Sequence, residues 1–398
     1  MICMPLGIYI SVPFCRTKCS YCNFASDVFS RVVFERYVDR ICSDIENAPR
    51  VAAEMGGKME RAVDSIYLGG GTPTVLEAGQ LERIFGAVRR EFEVSPEAEI
   101  TVECAPGTLT SAMLESLLRC GVNRVSLGVQ SFVDQEAAAV GRLHKRATVL
   151  EDINRLRAAG IANINIDLIA GLPHQTAESW EFSLTEAIAT GVPHASVYML
   201  EVDEDSRLGR EVIAGGTRYH AHFVPDEEAV ADFYTTAGDR LQAAGIPQYE
   251  ISNFARDGFE SRHNLKYWTR QPYFGFGVDA HSMLVSVAPE NDAVRFAPSD
   301  SLEKYVSAAG LQRTRVSRSA ALEESFFLGL RLNRGVSLRE LSSKFGEESV
   351  EAARAAVTEL VGGGLMERRG DLVCLTERGR LVSNEVFERF ILADEIAD

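Results

Sequence analysis

The 398-residue sequence predicts an α/β fold: a partial (β/α)6 TIM-like barrel with a mainly helical, winged-helix-like domain at its C-terminal end. Three observations predict it. Short β-rich runs alternate with helical patterns through the first two hundred residues, the pattern of βα units around a parallel sheet. The residues with unusual chemistry fall just after those runs, at Cys15–Cys22, Gly69–Pro73, Glu103, Gln130, Asp167 and Glu201, and in such folds the C-terminal strand edges build the site. The composition, 46% hydrophobic and 25% charged, supplies a sizeable core and excludes a disordered or collagen-like chain.

The elements follow in order. Ile8–Val12 is a short β-rich run and Val33–Ile45 has helical spacing. Ala62–Leu68 reads as a strand that ends in Gly69-Gly70-Gly71-Thr72-Pro73. Glu77–Phe92 is helical, Glu99–Cys104 a strand, Met113–Leu118 helical and Arg124–Val129 extended. Val149–Ala159 is helical, Asn163–Ile169 is a nearly continuous apolar run, Trp180–Ala189 is helical and Ala195–Leu200 extended. Right-handed crossovers bend such a series toward a barrel.

Beyond Glu201 the alternation weakens. Residues 202–226 are irregular, Glu227–Ala244 is an amphipathic helix, and Arg262–His281 is polar and aromatic. Residues 286–300 read as an exposed loop or edge hairpin. From about Ala320 three helices are expected, Leu322–Leu332, Leu338–Phe345 and Ser349–Val361. A hairpin turning at Gly370-Asp371 and a final helix follow. The expected units are 1–201, 202–319 and 320–398.

Lys and Arg number 41 against 57 Asp and Glu, a net charge of −16. That balance argues against nucleic-acid or anionic-membrane binding. The winged-helix-like segment is itself acidic, so it reads as a packing or lid domain. No apolar run approaches the ~18–20 residues of a bilayer span. The N-terminal run lacks a basic n-region and a cleavage site, so it reads as a buried strand and the protein as cytoplasmic.

Eight cysteines fall at positions 3, 15, 19, 22, 42, 104, 120 and 374. Cys15, Cys19 and Cys22 form a C-x3-C-x2-C motif after the first strand. Three thiolates at this spacing can hold one face of an Fe–S cube and leave one iron open, whereas ferredoxin-type cubes use four. Arg16 and Lys18 are expected to lower the thiol pKa values. A zinc site is the alternative, and no fourth Cys or His lies nearby in sequence. His220 and His222 would share one face of a strand, without a third ligand in sight. Cys42, Cys104, Cys120 and Cys374 read as buried free thiols. No c-type heme attachment site, nucleophile elbow or P-loop is present.

The cysteine motif resembles that of the radical S-adenosylmethionine (SAM) superfamily, and Gly69-Gly70-Gly71-Thr72-Pro73 is similar to the glycine motif of that family. The resemblance implies a 4Fe-4S cluster whose open iron is chelated by SAM, and whose electron cleaves SAM to a 5′-deoxyadenosyl radical. Over nearly the whole chain the sequence is further similar to oxygen-independent coproporphyrinogen III oxidases, and more closely to HemW-type heme chaperones. GGGTPT, TVECAPGTL, RVSLGVQSF, GRLH, INIDLIAGLP, YEISNFA and RHNLKYW carry that likeness. It implies that Tyr9, Glu103 and Gly70-Gly71-Thr72 hold the cluster-bound SAM, and that Tyr21 packs on its adenine. Gln130, Arg142 and Asp167 match positions used for a second SAM.

Three features separate the chaperones from the oxidases. Phe24 stands where the oxidase has a further cysteine. The cluster motif begins at residue 15, leaving no room for the oxidase's N-terminal extension. His263-Asn264-Leu265-Lys266-Tyr267 matches an H-N-x-x-Y motif of the chaperones, which implies heme at His263, Asn264 and Tyr267; both imidazole and phenolate can ligate heme iron. The resemblance thus implies heme as cargo, a heme-accepting protein, an electron donor and transient contact with a membrane protein. The alternative it leaves open is an enzyme, a radical SAM oxidative decarboxylase of coproporphyrinogen III.

Overall fold

A computed structural model of the chain describes residues 4–204, 206–307 and 309–391. Cys3 lies outside them. β1 (Leu6–Val12), β2 (Ala62–Gly70), β3 (Glu93–Cys104), β4 (Arg124–Gln130), β5 (Asn163–Ala170) and β6 (His194–Met199) lie side by side in chain order, each parallel to the next. A seventh parallel strand, Tyr273–Phe276, returns late in the chain to pair with β1, Gly7 opposite Tyr273 and Ile10 opposite Phe276.

Antiparallel strands extend both ends of this sheet. Ser282–Ser286, Asn291–Ala297 and Gln312–Ser317 follow Tyr273–Phe276, while Asn253–Ala255 and Gln248–Glu250 follow β6. Among the described residues the last strand at one end does not pair with the last at the other, and the parallel strands form a partial barrel. Segment 286–300, expected to be an edge, is therefore inside the sheet: Asn291–Ala297 is paired on both sides, with Val294 and Phe296 buried.

Strand alternation explains both the core and the site. In β5, Ile164, Ile166 and Leu168 are buried in the main apolar core. Asn163, Asn165 and Asp167 point to the opposite face, where Asn165 Nδ2 donates to Ser126 Oγ (2.7 Å) and Ser196 Oγ (3.0 Å). The run that reads as continuously apolar is thus apolar toward the helices and polar toward the barrel interior. The covering helices start where their caps dictate: Thr110 accepts from Met113 N, Thr176 and Ser179 form a capping box, and Asp226 caps Glu227–Ala243. Helices Ala48–Met55, Asp134–Ala139 and Arg207–Ala214 were not legible in the pattern.

The C-terminal segment has its own apolar cluster. Helices Arg318–Gly329, Leu338–Phe345 and Glu347–Gly362 precede a hairpin, Met366–Arg369 with Leu372–Leu375, turning at Gly370 (φ +68°) and Asp371. Short helices Glu377–Leu381 and Ser383–Glu388 follow. Arg270 ties this segment to the barrel: Nε reaches Glu324 at 2.8 Å and Nη1 reaches Asp292 at 2.9 Å. Among the described residues no helix is long and apolar enough to cross a membrane.

Candidate functional site

The cysteine loop leaves β1 at a fixed point. Phe14 stacks on Phe34 (3.9 Å between ring centroids), and its neighbour Cys15 donates its N–H to Asp27 O (3.0 Å). Asp27 N donates to Pro13 O (3.0 Å), which closes the loop at its base. Lys18 Nζ draws the loop together by donating to Phe24 O (2.7 Å) and Ser26 O (2.6 Å). Arg16 donates to Gly107 O. The expected thiol-activating role of these cations is not met at Cys15: both side chains serve backbone carbonyls, and burial raises the Cys15 pKa.

Cys15, Cys19 and Cys22 all line one cavity of about 900 Å³ at the C-terminal end of the strands. Gly70, Gly71, Thr72, Glu103, Gln130, Arg142, Asp167 and Tyr21 line the same cavity. Thr72 Oγ1 points at Cys15 Sγ (3.9 Å). Gly71 must be glycine, because a Cβ there would lie 2.7 Å from Val12 O and 2.8 Å from Phe14 O. Gly70 holds φ +99°, a backbone that side chains rarely adopt.

Glu103, Gln130 and Asp167 lie on the strands, and the reading that put them beyond the strand ends is corrected by the ladder. Glu103 pairs with Ser126, and Asp167 with Ser196. Neither carboxylate caps a helix. Glu103 accepts from Tyr67 Oη (2.8 Å) and Gly70 N (3.1 Å). Burial, then the charge of Asp167, raises its pKa from 4.5 to about 7. Burial also raises Asp167, against hydrogen bonds from Ser196, Ser126 and Asn165. Tyr9 stands behind this wall, its ring 6.2 Å from that of Tyr67.

The opposite wall is polar and incompletely satisfied. Arg142 Nη2 donates to Tyr21 Oη (3.4 Å), while Arg142 Nε and Gln130 Oε1 are buried without partners. Buried polar groups without partners indicate a missing ligand or water. Gly128 makes room for them: a Cβ there would lie 2.8 Å from Arg142 Nη2. Sequence reasoning missed Gly128 and Tyr67; the signal for Gly128 was a glycine inside a strand. Among the described residues no three Cys, His, Asp or Glu close on one ion. The donor set instead suits a larger group: three free thiols on one wall, open glycine backbone beside them and a carboxylate behind.

The structure does not bring His263, Asn264 and Tyr267 to this cavity. They sit on helix Arg262–Trp268, packed against β2 at the other end of the barrel. His263 is buried; Nδ1 bonds Ser65 Oγ (3.1 Å) and Nε2 bonds Tyr267 Oη (2.9 Å). Burial lowers its pKa to about 3. Both ring nitrogens are thus engaged by neighbouring hydroxyls. His220 precedes a 3-10 turn, Ala221–Phe223, that contains His222, so the pair is not on a strand.

Comparison with known proteins agrees with this geometry. The radical SAM superfamily model matches residues 9–187, and the HemN C-terminal domain model matches residues 316–382. The heme chaperone HemW of Bacillus subtilis is 34% identical over 387 residues, 96% of this chain and 98% of that one. The heme chaperone HemW of Escherichia coli is 30% identical, covering 97% and 98% of the two chains. Among solved structures, coproporphyrinogen III oxidase (HemN) from Escherichia coli, a radical SAM enzyme, has the same fold, with a TM-score of 0.82 at 23% identity over 97% of this chain and 90% of that one. With relatives of this identity matched over almost their full length, the chain belongs to the HemW heme chaperone family.

Proposed function

We infer that the chain is a heme chaperone that carries a SAM-capped 4Fe-4S cluster, binds heme and passes it to an acceptor protein. The observation that carries the reading is the convergence of three thiols, a glycine backbone and Glu103 on one cavity in a chain of this family. Cys15, Cys19 and Cys22 hold the cluster. When bound, the cluster supplies an open iron for SAM and an electron toward it.

The remaining residues act on the ligand. Gly70, Gly71 and Thr72 let its polar groups approach the backbone. Glu103 receives its ammonium, and a cation beside this carboxylate favours the charged form that burial otherwise opposes. Tyr9 backs that wall through Tyr67, and Tyr21 offers a ring to the adenine. Gln130, Arg142 and Asp167 bind a second SAM, a reading supported by the unpartnered Arg142 Nε and Gln130 Oε1. An electron donor serves the cluster, and the site of action is the cytoplasm. The units are 1–201 for the cluster, 202–319 for heme and 320–398 as the winged-helix-like cover. His263, Asn264 and Tyr267 close the base of the barrel in this reading.

The test is a heme titration of the anaerobically reconstituted chain. A stoichiometric complex with a shifted Soret band is expected; no complex would refute the reading.

A further inference from the structure

Three of the seven histidines meet outside the cavity. His174 lies in the loop after β5, and its Nε2 is 3.2 Å from Nδ1 of His220. His222 follows two residues later, and the rings of His174 and His222 lie 4.0 Å and 4.1 Å from that of Phe223. His174 and His220 both hold left-handed backbone, φ +69° and +62°, uncommon for residues with a Cβ. The arrangement is pinned. His174 N donates to Phe223 O (3.0 Å), and the Glu211 carboxylate accepts from the N–H groups of Tyr219 (2.8 Å) and Ala221 (3.2 Å).

The same segment reaches the cluster loop. Leu208 N, on helix Arg207–Ala214, donates to Ser20 O between Cys19 and Cys22 (2.8 Å). That helix packs against the histidine turn and leaves Val212 (52%) and Ile213 (66%) exposed. Arg210 and Arg218 are exposed cations on the same stretch.

This is the chemistry an iron porphyrin requires. A ligating imidazole keeps one nitrogen open while the other is hydrogen-bonded, which fixes its tautomer and direction. His220 meets that condition in the tautomer that donates Nδ1–H to His174 Nε2, which leaves the lone pair on its Nε2 free. The porphyrin face needs apolar contact, and its carboxylates need cations. We propose that His220 Nε2 is the axial ligand of heme iron, that His174 is its positioning residue, and that Phe223, Val212 and Ile213 offer the porphyrin its apolar surface. The proposal rests on the heme-chaperone reading and names the site at which it operates. Heme held there lies on the segment that covers the cluster loop.

The experiment is a heme titration of full-length reconstituted chain, read by the Soret band and by EPR of the ferric iron. Asparagine is the replacement at both positions, because it tolerates left-handed backbone. His220→Asn is expected to lose the imidazole-ligated signature and to weaken binding at least about tenfold. His174→Asn keeps the signature and weakens binding about 10–100-fold, as when the group orienting a metal ligand is lost. His281→Ala, an exposed imidazole elsewhere, binds as the parent does. Iron and sulfide content stays unchanged in all three, which confirms intact folding. Parent-like affinity and signature in both asparagine variants would overturn the proposal and leave the chaperone reading standing. Failure of the parent chain to bind heme would overturn both.

Discussion

The phenol of Tyr67, on β2, donates to Glu103 Oε1, on the neighbouring β3, across 2.8 Å. This bond holds a carboxylate at the back of the cavity in one orientation, and Gly69 packs so close that a Cβ there would lie 2.8 Å from the carboxylate. The cavity therefore presents a fixed acceptor to whatever enters beside the cysteines.

Glu103 is expected to make ligand binding pH-dependent. Its pKa is about 7 in the folded chain against an ordinary 4.5. Between those values the folded chain holds a proton that the unfolded chain does not, so this group's contribution to stability is full below 4.5 and is lost as pH rises through about 7. An ammonium beside Glu103 reverses the preference. SAM affinity is expected to fall about tenfold per pH unit below that pKa, with proton release visible by calorimetry in buffers of different ionisation enthalpy. Glu103→Gln should bind weakly and without that dependence.

Gly71 and Gly79 should respond oppositely to alanine. At Gly71 the new Cβ meets two backbone carbonyls, of Val12 and Phe14, that anchor the cysteine loop. A loss of about 1–3 kcal/mol is expected, together with lower iron content after reconstitution. At Gly79, in helix Ala78–Glu91, a Cβ meets nothing within 4 Å, and alanine should stabilise by about 0.5 kcal/mol. Thermal unfolding of the two variants checks both signs.

Gly128→Ala should separate binding from stability. The atoms in its way are the tips of Arg142 and Gln130, which can move, so a stability change within about 0.5 kcal/mol is expected. Displacing Arg142 should lower the number of SAM molecules bound from two to one in equilibrium dialysis.

Arg270 couples the C-terminal segment to the sheet. Its guanidinium is buried and shared between Asp292 and Glu324, and Arg295 also reaches Glu324 (2.8 Å). Arg270→Met removes one partner from each carboxylate while Arg295 stays on Glu324 and Lys344 on Asp292 (3.8 Å), so a loss of about 1–3 kcal/mol is expected in denaturant unfolding. Hydrogen exchange should rise first in residues 318–391.

How much was legible in the sequence depended on distance along the chain. Cys15, Cys19, Cys22 and the glycine motif were legible because each is contiguous and its spacing carries the chemistry. The βα order was legible because each strand pairs with its neighbour in sequence. β5 misled because isoleucine and leucine dominate its count, while Asn163, Asn165 and Asp167 face a polar interior that only Ser126 and Ser196 explain. Glu103 and Asp167 looked terminal because strand length is set by ladder partners on other strands. His220 meets His174, 46 residues away, and His263 meets Ser65, 198 residues away. Neither pairing leaves a trace in local pattern.

The most direct test of the account is low-temperature EPR of the oxygen-free, reconstituted and reduced chain, recorded with and without SAM. A paramagnetic 4Fe-4S signal that shifts when SAM is added is expected, because the iron without a thiolate gains ligands. A signal indifferent to SAM, or no paramagnetic centre at all in protein that binds only zinc, would contradict it.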